Sequence, residues 1–252
     1  MATGTNNQSA GSDYTVASGS ALSFGSLATT GLGMSGGGNF RSVGRRADTS
    51  GLGSWPSAGV VSDPWTEQEA DQGTIWFSSL IRRDNANRQL RANFIGSNIA
   101  WYMSVPGTIT LVNDNDTDEW NGITDVWHIG TEGGSFTSTG ISSVQDQTQL
   151  LLVKFDFNGT SSEVRFWVYG DPSSLPGNTP ADASAHAVLT GLDQNAIGFK
   201  GVAFYLRSSA GSGSVDEIRF GTTYADVVPA VPEPGILSLL ALAGTLALRR
   251  RV

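Results

Sequence analysis

The chain has 252 residues and a net charge of −8, and only 15% of its residues are charged, whereas 32 are glycine. This length suits one large all-β domain or two small domains. An acidic chain without a basic stripe is unsuited to nucleic acid, which proteins bind through Lys and Arg. The absence of cysteine excludes disulfides, thiolate catalysis and zinc sites built on cysteine.

The first third of the chain carries weak structural signals. Residues 1–12 are polar and are predicted to be disordered. Residues 13–43 are rich in Gly, Ser and Thr with isolated apolar residues, which predicts short edge strands and loops, and residues 50–72 predict a long loop. The N-terminus has neither the basic nor the apolar region of a secretory signal, so we expect the natural start to lie upstream.

Strand signals sharpen from residue 73. The stretch GTIWFSSLIRR (73–83) alternates with apolar residues on both faces, as expected of a strand inside a sandwich. Turn residues separate the next predicted strands, RQLRANFIG (88–96), NIAWYMSV (98–105), GTITLVN (107–113) and DVWHIGTEG (125–133). Strands at this spacing are typical of a sandwich or a barrel.

A hairpin is the clearest local prediction. Two apolar runs flank Asn158-Gly159 within QLLLVKFDFNGTSSEVRFWVYGDP, and an Asn-Gly pair between strands predicts a tight turn. A loop over 171–185 and two closing strands, GFKGVAFYLRS and GSVDEIRFGTTYADVV, follow. We predict no amphipathic helix of ten residues before the C-terminal tail.

This strand set, with the 150–170 hairpin and the late strand SVDEIRFGTTYADV, resembles the concanavalin A-like or laminin-G-like jelly roll. The resemblance covers residues 13–228 and implies an all-β antiparallel jelly-roll sandwich with one convex and one concave sheet. The family includes both glycan-binding domains and laminarinase-like hydrolases, so the fold leaves the ligand open.

The C-terminal tail, residues 229–252, has a VPEP motif, an apolar run at 235–248 and an arginine cluster. In this order the three features resemble the PEP-CTERM sorting signal of Gram-negative bacteria. The residues of the motif and the cluster are Val231, Pro232, Glu233, Pro234, Arg249, Arg250 and Arg251. The apolar run is shorter than the roughly 20 residues that span a bilayer core, and the arginines suit the cytoplasmic interface. The resemblance implies a short hydrophobic helix, transit at the inner membrane, processing by an exosortase, and export to the cell surface or extracellular matrix.

An acidic stretch, NDNDTDEWNGITD, contains candidate calcium ligands. Asp114, Asp116 and Asp118 occupy positions 1, 3 and 5 of an EF-hand-like loop, and hard oxygen ligands at this spacing can hold Ca²⁺. Glu119 replaces the glycine of position 6, and Asp125 replaces the usual glutamate of position 12. The alternative is a solvated turn rich in Asp and Asn.

The sequence predicts no enzymatic activity. Glycoside hydrolases need two carboxylates on one face of the site, but Glu67, Glu69 and Asp71 lie in a polar loop, and Asp216 and Glu217 are adjacent and should face opposite ways. The two histidines, His128 and His186, stand alone, and no nucleophile elbow is present. A degenerate or unrecognised hydrolase remains an alternative, as does a structural or adhesion module that acts through protein contacts.

Sugar binding is the function that the aromatic residues favour. The chain has 7 Trp and 5 Tyr, whose flat apolar faces suit pyranose rings. The candidates near the acidic stretch are Trp101, Tyr102, Trp120 and Trp127. The alternative for each is packing in the core, where large aromatics usually lie. The expected partners are therefore an extracellular polysaccharide and the exosortase, with calcium as the candidate cofactor.

Overall fold

The computed structural model describes residues 5–8, 15–17, 22–27, 29, 33–37, 41–46, 72–83, 89–95, 109–114, 126–131, 134–193, 201–207 and 212–229. In these ranges the chain forms fourteen strands, three short 3₁₀ turns and a single four-residue α-helix. The strands are β1 (Thr5–Gln8), β2 (Thr15–Ala17), β3 (Gly33–Gly37), β4 (Arg41–Arg46), β5 (Gly73–Arg83), β6 (Gln89–Ile95), β7 (Ile109–Asp114), β8 (Val126–Thr131), β9 (Phe136–Ser142), β10 (Gln149–Phe157), β11 (Ser162–Tyr169), β12 (Ala187–Leu192), β13 (Gly201–Arg207) and β14 (Ser212–Gly221). The 3₁₀ turns are Gly159–Ser161, Pro172–Ser174 and Asp182–Ser184, and helix α1 is Tyr224–Val227.

The strands form two seven-stranded antiparallel sheets, which confirms an all-β antiparallel sandwich. Sheet A has the order β1-β4-β13-β6-β7-β8-β9, and sheet B has the order β12-β11-β10-β5-β14-β3-β2. Neighbours in each sheet are often distant in sequence, as in the pairing of β13 with both β4 and β6. Residues Thr5–Gln8, which the composition predicts to be disordered, form instead the edge strand β1 of sheet A.

The main core lies between the two sheets. In β5, Ile75, Phe77 and Ile81 face this core, and their neighbours Trp76 and Leu80 face the opposite side of sheet B. Strands with two apolar faces are expected where a sheet is covered on both sides. The prediction that 73–83 is such a strand is confirmed, with Phe77 and Leu80 fully buried.

The predicted hairpin between β10 and β11 is also confirmed, but its turn differs from the expected one. Asn158 has φ −148°, and only Gly159, with φ +55°, adopts the left-handed region that favours glycine. The connection therefore includes the 3₁₀ turn Gly159–Ser161 rather than a two-residue turn with two positive φ values.

A β-bulge interrupts β14 opposite β5. The register moves from Asp216↔Leu80 to Arg219↔Ser78, so β14 gains one residue on β5. Glu217 lies at this point with φ +51°, which is uncommon for a residue other than glycine. Its carboxylate forms an ion pair with Arg219.

The hydrophobic helix predicted at 235–248 lies outside the described residues, and α1 is a separate, shorter element. None of the helices in the part of the chain that the structure describes has the length and apolar character needed to cross a bilayer.

Candidate functional site

The outer face of sheet B is closed by other parts of the chain. Trp76 and Trp167 stack on this face with ring centroids 5.8 Å apart, and Tyr224 of α1 meets Trp76 edge-on at 5.8 Å. Chain segments from both ends of the sequence pack over them. The buried side chains of this second core are Leu22, Phe24, Leu27, Trp76, Leu80, Leu150, Leu152, Trp167, Tyr169, Tyr224 and Val227.

Hydrogen bonds connect these overlying segments to sheet B. The Leu22 N–H donates to Asp216 Oδ2 at 2.8 Å, and Ser78 Oγ donates to the Val227 carbonyl at 2.6 Å. Tyr224 donates from its hydroxyl to the Pro176 carbonyl at 2.7 Å. We define the cover as residues 22–27, 172–186 and 224–228. Because it satisfies the polar groups beneath it, sheet B offers no vacant outer surface at these positions.

Burial under the cover changes the ionisation of several groups. Burial raises the pKa of Tyr169, with a further contribution from Tyr224, to about 12, and it raises the pKa of Tyr224 to about 12. Burial also raises the pKa of Asp216, although the N–H groups of Leu22 and Glu217 oppose that shift by donating to its carboxylate. The packing of the cover on sheet B accounts for these three shifts.

The outer face of sheet A carries the candidate site. Ala92, Phe94, Trp127 and Ile129 point into the core between the sheets, so alternation along β6 and β8 sends their neighbours outward. The outward residues lie in two rows across the strands. Register aligns Arg91, His128 and Ser138 in the first row and Asn93, Gly130 and Phe136 in the second, with one backbone position of β7 between β6 and β8 in each row. We call these the outer rows of sheet A.

His128 is the best-defined polar group of the outer rows. Its side chain is 8% exposed, and its Nδ1 lies 2.8 Å from the Val126 carbonyl oxygen. Because a carbonyl oxygen only accepts, Nδ1 carries the proton and Nε2 is left as an acceptor. Among the described residues, no hydrogen bond uses Nε2.

Phe136 supplies a flat apolar surface beside His128. Its backbone partner is Gly130, and a Cβ built on Gly130 would lie 2.6 Å from a ring carbon of Phe136. The missing side chain therefore allows the ring to lie against the backbone of β8. Phe136 is half-buried and Ser138, two residues on, is exposed, so the ring and the hydroxyl lie on the same face.

The outer rows thus combine an aromatic plane with polar groups of different kinds. Arg91 is a cationic donor, the Asn93 amide both donates and accepts, His128 Nε2 accepts, and the Ser138 hydroxyl does both. Asn93 and His128 are 5% and 8% exposed, so these two side chains are largely covered, whereas Ser138 is exposed. A ligand with one apolar face and a rim of hydroxyls has the complementary chemistry.

Trp127, predicted to bind glycan, is instead a core residue. It is 1% exposed, and its Nε1 donates to Gln149 Oε1 at 2.8 Å between the sheets. A side chain in this position cannot offer a face to a ligand. The prediction for Trp127 is corrected, and its neighbour His128 takes the outward position.

The other predicted site residues are only partly described. Asp114 ends β7, where its backbone pairs with Val126, while Asp116 and Asp118 lie outside the described residues, as do Trp101, Tyr102 and Trp120. The sorting motif Val231, Pro232, Glu233, Pro234 and the cluster Arg249, Arg250, Arg251 also lie outside them. Within the described ranges, no group of three or more His, Cys, Asp or Glu side chains could hold a metal ion.

Sequence reasoning missed Arg91, Asn93, Phe136 and Ser138 as site residues. The signal for β8 was present, because in VWHIG the apolar Trp127 and Ile129 define the core face and so send His128 outward. No comparable signal marks Phe136 and Ser138, since the stretch FTSTGIS is weakly patterned and its pairing with β8 is a tertiary feature.

The sequence matches no protein-family model, and no curated protein matches it. Among solved structures, the globular domain of calreticulin from T. cruzi is similar over 96% of this chain and 91% of its own, with a TM-score of 0.50 and 9% identity. A GH131 β-glucanase catalytic domain from Podospora anserina is similar over 79% of this chain and 76% of its own, with a TM-score of 0.42 and 11% identity. Lactose- and MES-liganded congerin II is similar over 60% of this chain and 93% of its own chain, with a TM-score of 0.33 and 7% identity. At 9% identity, the likeness to the calreticulin domain concerns the fold, and it supports the two-sheet sandwich.

Proposed function

We propose that the sandwich is a concanavalin A-like jelly-roll domain that binds glycan on the outer rows of sheet A. The observation that carries this proposal is the juxtaposition of Phe136 with His128, Ser138, Arg91 and Asn93 on the face that the cover does not occupy. A pyranose ring has an apolar face for Phe136 and hydroxyls for the polar groups around it. We propose an extracellular polysaccharide as the ligand class.

We favour binding over hydrolysis because the sequence has no recognisable pair of catalytic carboxylates on one strand. Hydrolysis by the usual mechanism needs a pair of carboxylates about 5–10 Å apart. A hydrolase, degenerate or active, and a structural or adhesion module are the alternatives.

A polysaccharide and glycan array tests this proposal. The purified full chain is applied with Ca²⁺ and again with EDTA, beside the variants Phe136→Ala and Ser138→Ala, and beside Ser173→Ala as a matched control on the opposite side of the molecule. We expect binding that both outer-row variants weaken and the control leaves unchanged. Loss with EDTA would assign calcium to Asp114, Asp116 and Asp118. A blank array, or equal binding by all variants, would overturn the proposal in favour of the structural module.

We also propose that the tail acts as a PEP-CTERM sorting signal, so that the domain is exported and processed by an exosortase. The support is the order of VPEP, apolar run and arginine cluster in residues 231–251. Co-expression with an exosortase should yield a mass that lacks the residues after the Pro-Glu-Pro motif. The variant Glu233→Ala should remain uncut, and cutting of both chains elsewhere would contradict the assignment.

A further inference from the structure

The turn between β10 and β11 carries a modification motif that glycan binding does not explain. Asn158-Gly159-Thr160 has the form Asn-x-Thr, the acceptor pattern of N-glycosylation. The same pattern, with Ser or Thr, begins at Asn7 and Asn115. Asn7 lies within β1, whose backbone pairs with β4, and Asn115 lies outside the described residues. Asn158 lies within the continuously described range 134–193.

The side chain of Asn158 is available to a modifying enzyme. Its backbone N–H donates to Ser162 Oγ at 2.9 Å, and its carbonyl accepts from the Ser161 N–H at 3.0 Å. The side-chain amide makes no capping hydrogen bond to the 3₁₀ turn that follows, and no hydrogen bond of the described residues uses it. Asn158 and Thr160 are both exposed, so the amide and the hydroxyl that the motif requires are accessible together.

The turn holds these two residues in an open position. Ser162 is buried, and its hydroxyl donates to the Gly159 carbonyl at 3.1 Å, which fixes the base of the turn. Gly159 has φ +55°, and a Cβ built on it would meet nothing within 4 Å. Hydrogen bonds to Ser162 therefore hold the backbone of the turn, and the side of Gly159 on which a Cβ would lie is open.

We infer that Asn158 is an acceptor for N-linked oligosaccharide in the folded protein. In the transfer, the Asn158 side-chain nitrogen forms a bond to the anomeric carbon of a lipid-pyrophosphate-linked oligosaccharide. The bond from that carbon to the pyrophosphate breaks, the lipid pyrophosphate leaves, and the amide loses one proton. Modification in the cell rests on the export proposed above, whereas the chemistry of the turn does not.

An attached oligosaccharide would lie beside the end of β12, the edge strand of sheet B. Ser162, at the base of the turn, pairs with Leu192 of β12, and β12 is the edge strand of that sheet. Exposed edges can pair with other chains unless they are blocked. A bulky hydrated group on Asn158 would hinder such pairing, and it would do so on the sheet that does not carry the outer rows.

The test uses the folded full chain, an oligosaccharyltransferase that recognises Asn-x-Ser/Thr, and a lipid-pyrophosphate-linked oligosaccharide. The variants are Asn158→Gln and Thr160→Ala, and the matched control is Asn178→Gln. Asn178 is exposed but is followed two residues on by Pro180, so it lacks the motif. Two further samples are tested. One is the full chain unfolded in urea and diluted into the reaction, and the other is a standard acceptor peptide.

We expect peptide mass spectrometry to find the oligosaccharide on Asn158 of the folded chain. Both variants in the motif should lose it and Asn178→Gln should keep it. Three results would each overturn the inference. They are transfer only to Asn7 or Asn115, transfer to Asn158 only after unfolding, and no transfer while the standard peptide is modified. A blank glycan array combined with transfer to Asn158 would remove the proposed function and leave this inference standing.

Discussion

The two outer faces of the sandwich differ in the polarity of the side chains that point outward from them. On sheet B the strands send Trp76, Leu80 and Trp167 outward, and the cover buries them. On sheet A the described outer rows send Arg91, Asn93 and His128 outward instead. Apolar area is stabilised by being covered, whereas polar groups lose by burial unless they find partners. The difference teaches that the apolar outward positions of sheet B form a second core, whereas the described outward positions of sheet A are mainly polar.

Two segments that are distant in sequence meet on the outer face of sheet B. Leu22 near the start and Val227 near the end reach the same face, where they bond to Asp216 and Ser78. The cover therefore closes the sandwich by joining segments that are distant in sequence. Loss of contacts in the cover should lower the free energy of unfolding, whereas substitutions in the outer rows should lower the affinity for glycan.

The largest expected effect is on stability, from Trp167→Ala. Trp167 is fully buried, stacks on Trp76, and donates from Nε1 to Ser184 Oγ at 3.2 Å. Removing such a side chain costs about 3–5 kcal/mol of the free energy of unfolding. Urea unfolding followed by circular dichroism measures it. The control, Phe136→Ala, changes a half-buried ring and should cost less, and equal losses from the two variants would contradict the contrast between the faces.

A smaller loss of stability is expected from Asp216→Ala. The Asp216 carboxylate accepts from the Leu22 N–H at 2.8 Å and from the Glu217 N–H at 2.7 Å. Its removal leaves two buried donors without this acceptor, which costs about 1–3 kcal/mol. The burial penalty that raises the pKa of Asp216 is relieved at the same time, which keeps the loss below that of Trp167→Ala.

The same urea experiment measures this loss, and hydrogen exchange locates it. The Leu22 amide should exchange faster in Asp216→Ala than in the unaltered chain. The matched control is Asp226→Ala, whose carboxylate accepts from Thr222 and Thr223 at the exposed start of α1. An unchanged exchange rate at Leu22 would show that Asp216 does not hold the cover.

Much of sheet B could be predicted from the sequence, because its central strands carry their own pattern. In β5, β10 and β11 the apolar residues alternate on two faces, and the Asn-Gly pair places the hairpin turn between β10 and β11. These signals are local. The cover was not predicted, because Leu22, Phe24 and Leu27 stand isolated in a Gly/Ser-rich stretch and only tertiary packing assigns them a partner.

The outer rows of sheet A were harder to predict for a physical reason. Arg91, His128 and Ser138 come from three strands that sequence reasoning cannot align, since register depends on pairings between β6, β7, β8 and β9. Aromatic content alone pointed to Trp127, yet burial of large aromatics makes them poor markers of a site. The bulge at Glu217 was also invisible, because neither its extra residue nor its positive φ has a sequence signal here.

The expected effect on binding is smaller in energy than either effect on stability. His128→Ala removes the Nε2 acceptor of the outer rows and should weaken glycan binding roughly 3–10-fold, because one hydrogen bond contributes about 1 kcal/mol net. Isothermal titration with the best glycan from the array measures it. His186→Ala is the matched control, since that ring lies on the side of the cover and accepts from the Val168 N–H at 3.0 Å.

Equal weakening by the two histidine variants would contradict the assignment of the ligand to sheet A. Gly130→Ala provides an independent check on the same face. The added Cβ would meet the Phe136 ring at 2.6 Å and the Ser135 carbonyl oxygen at 2.7 Å, so both the ring and the start of β9 must move away from β8. We expect weaker binding with no loss of the His128 acceptor, which separates the contribution of the aromatic plane from that of the hydrogen bond.

The smallest expected effect is the pH dependence contributed by His186. Burial lowers the pKa of His186 below its ordinary value of 6.5, and the neutral Nδ1 accepts the Val168 N–H. The unfolded chain then takes up a proton at higher pH than the folded chain does. The contribution of His186 to stability is therefore full above pH 6.5 and is lost as the pH falls towards the folded pKa. Asp216 acts in the opposite direction, since its raised pKa makes the folded chain bind a proton first as the pH falls towards 3.8.

The free energy of unfolding should be measured between pH 8 and pH 5 for the unaltered chain and for His186→Gln, because the difference between the two chains cancels the contribution of Asp216. We expect that difference to shrink as the pH falls, and a difference that stays constant would show that the ring of His186 is not held neutral by the cover.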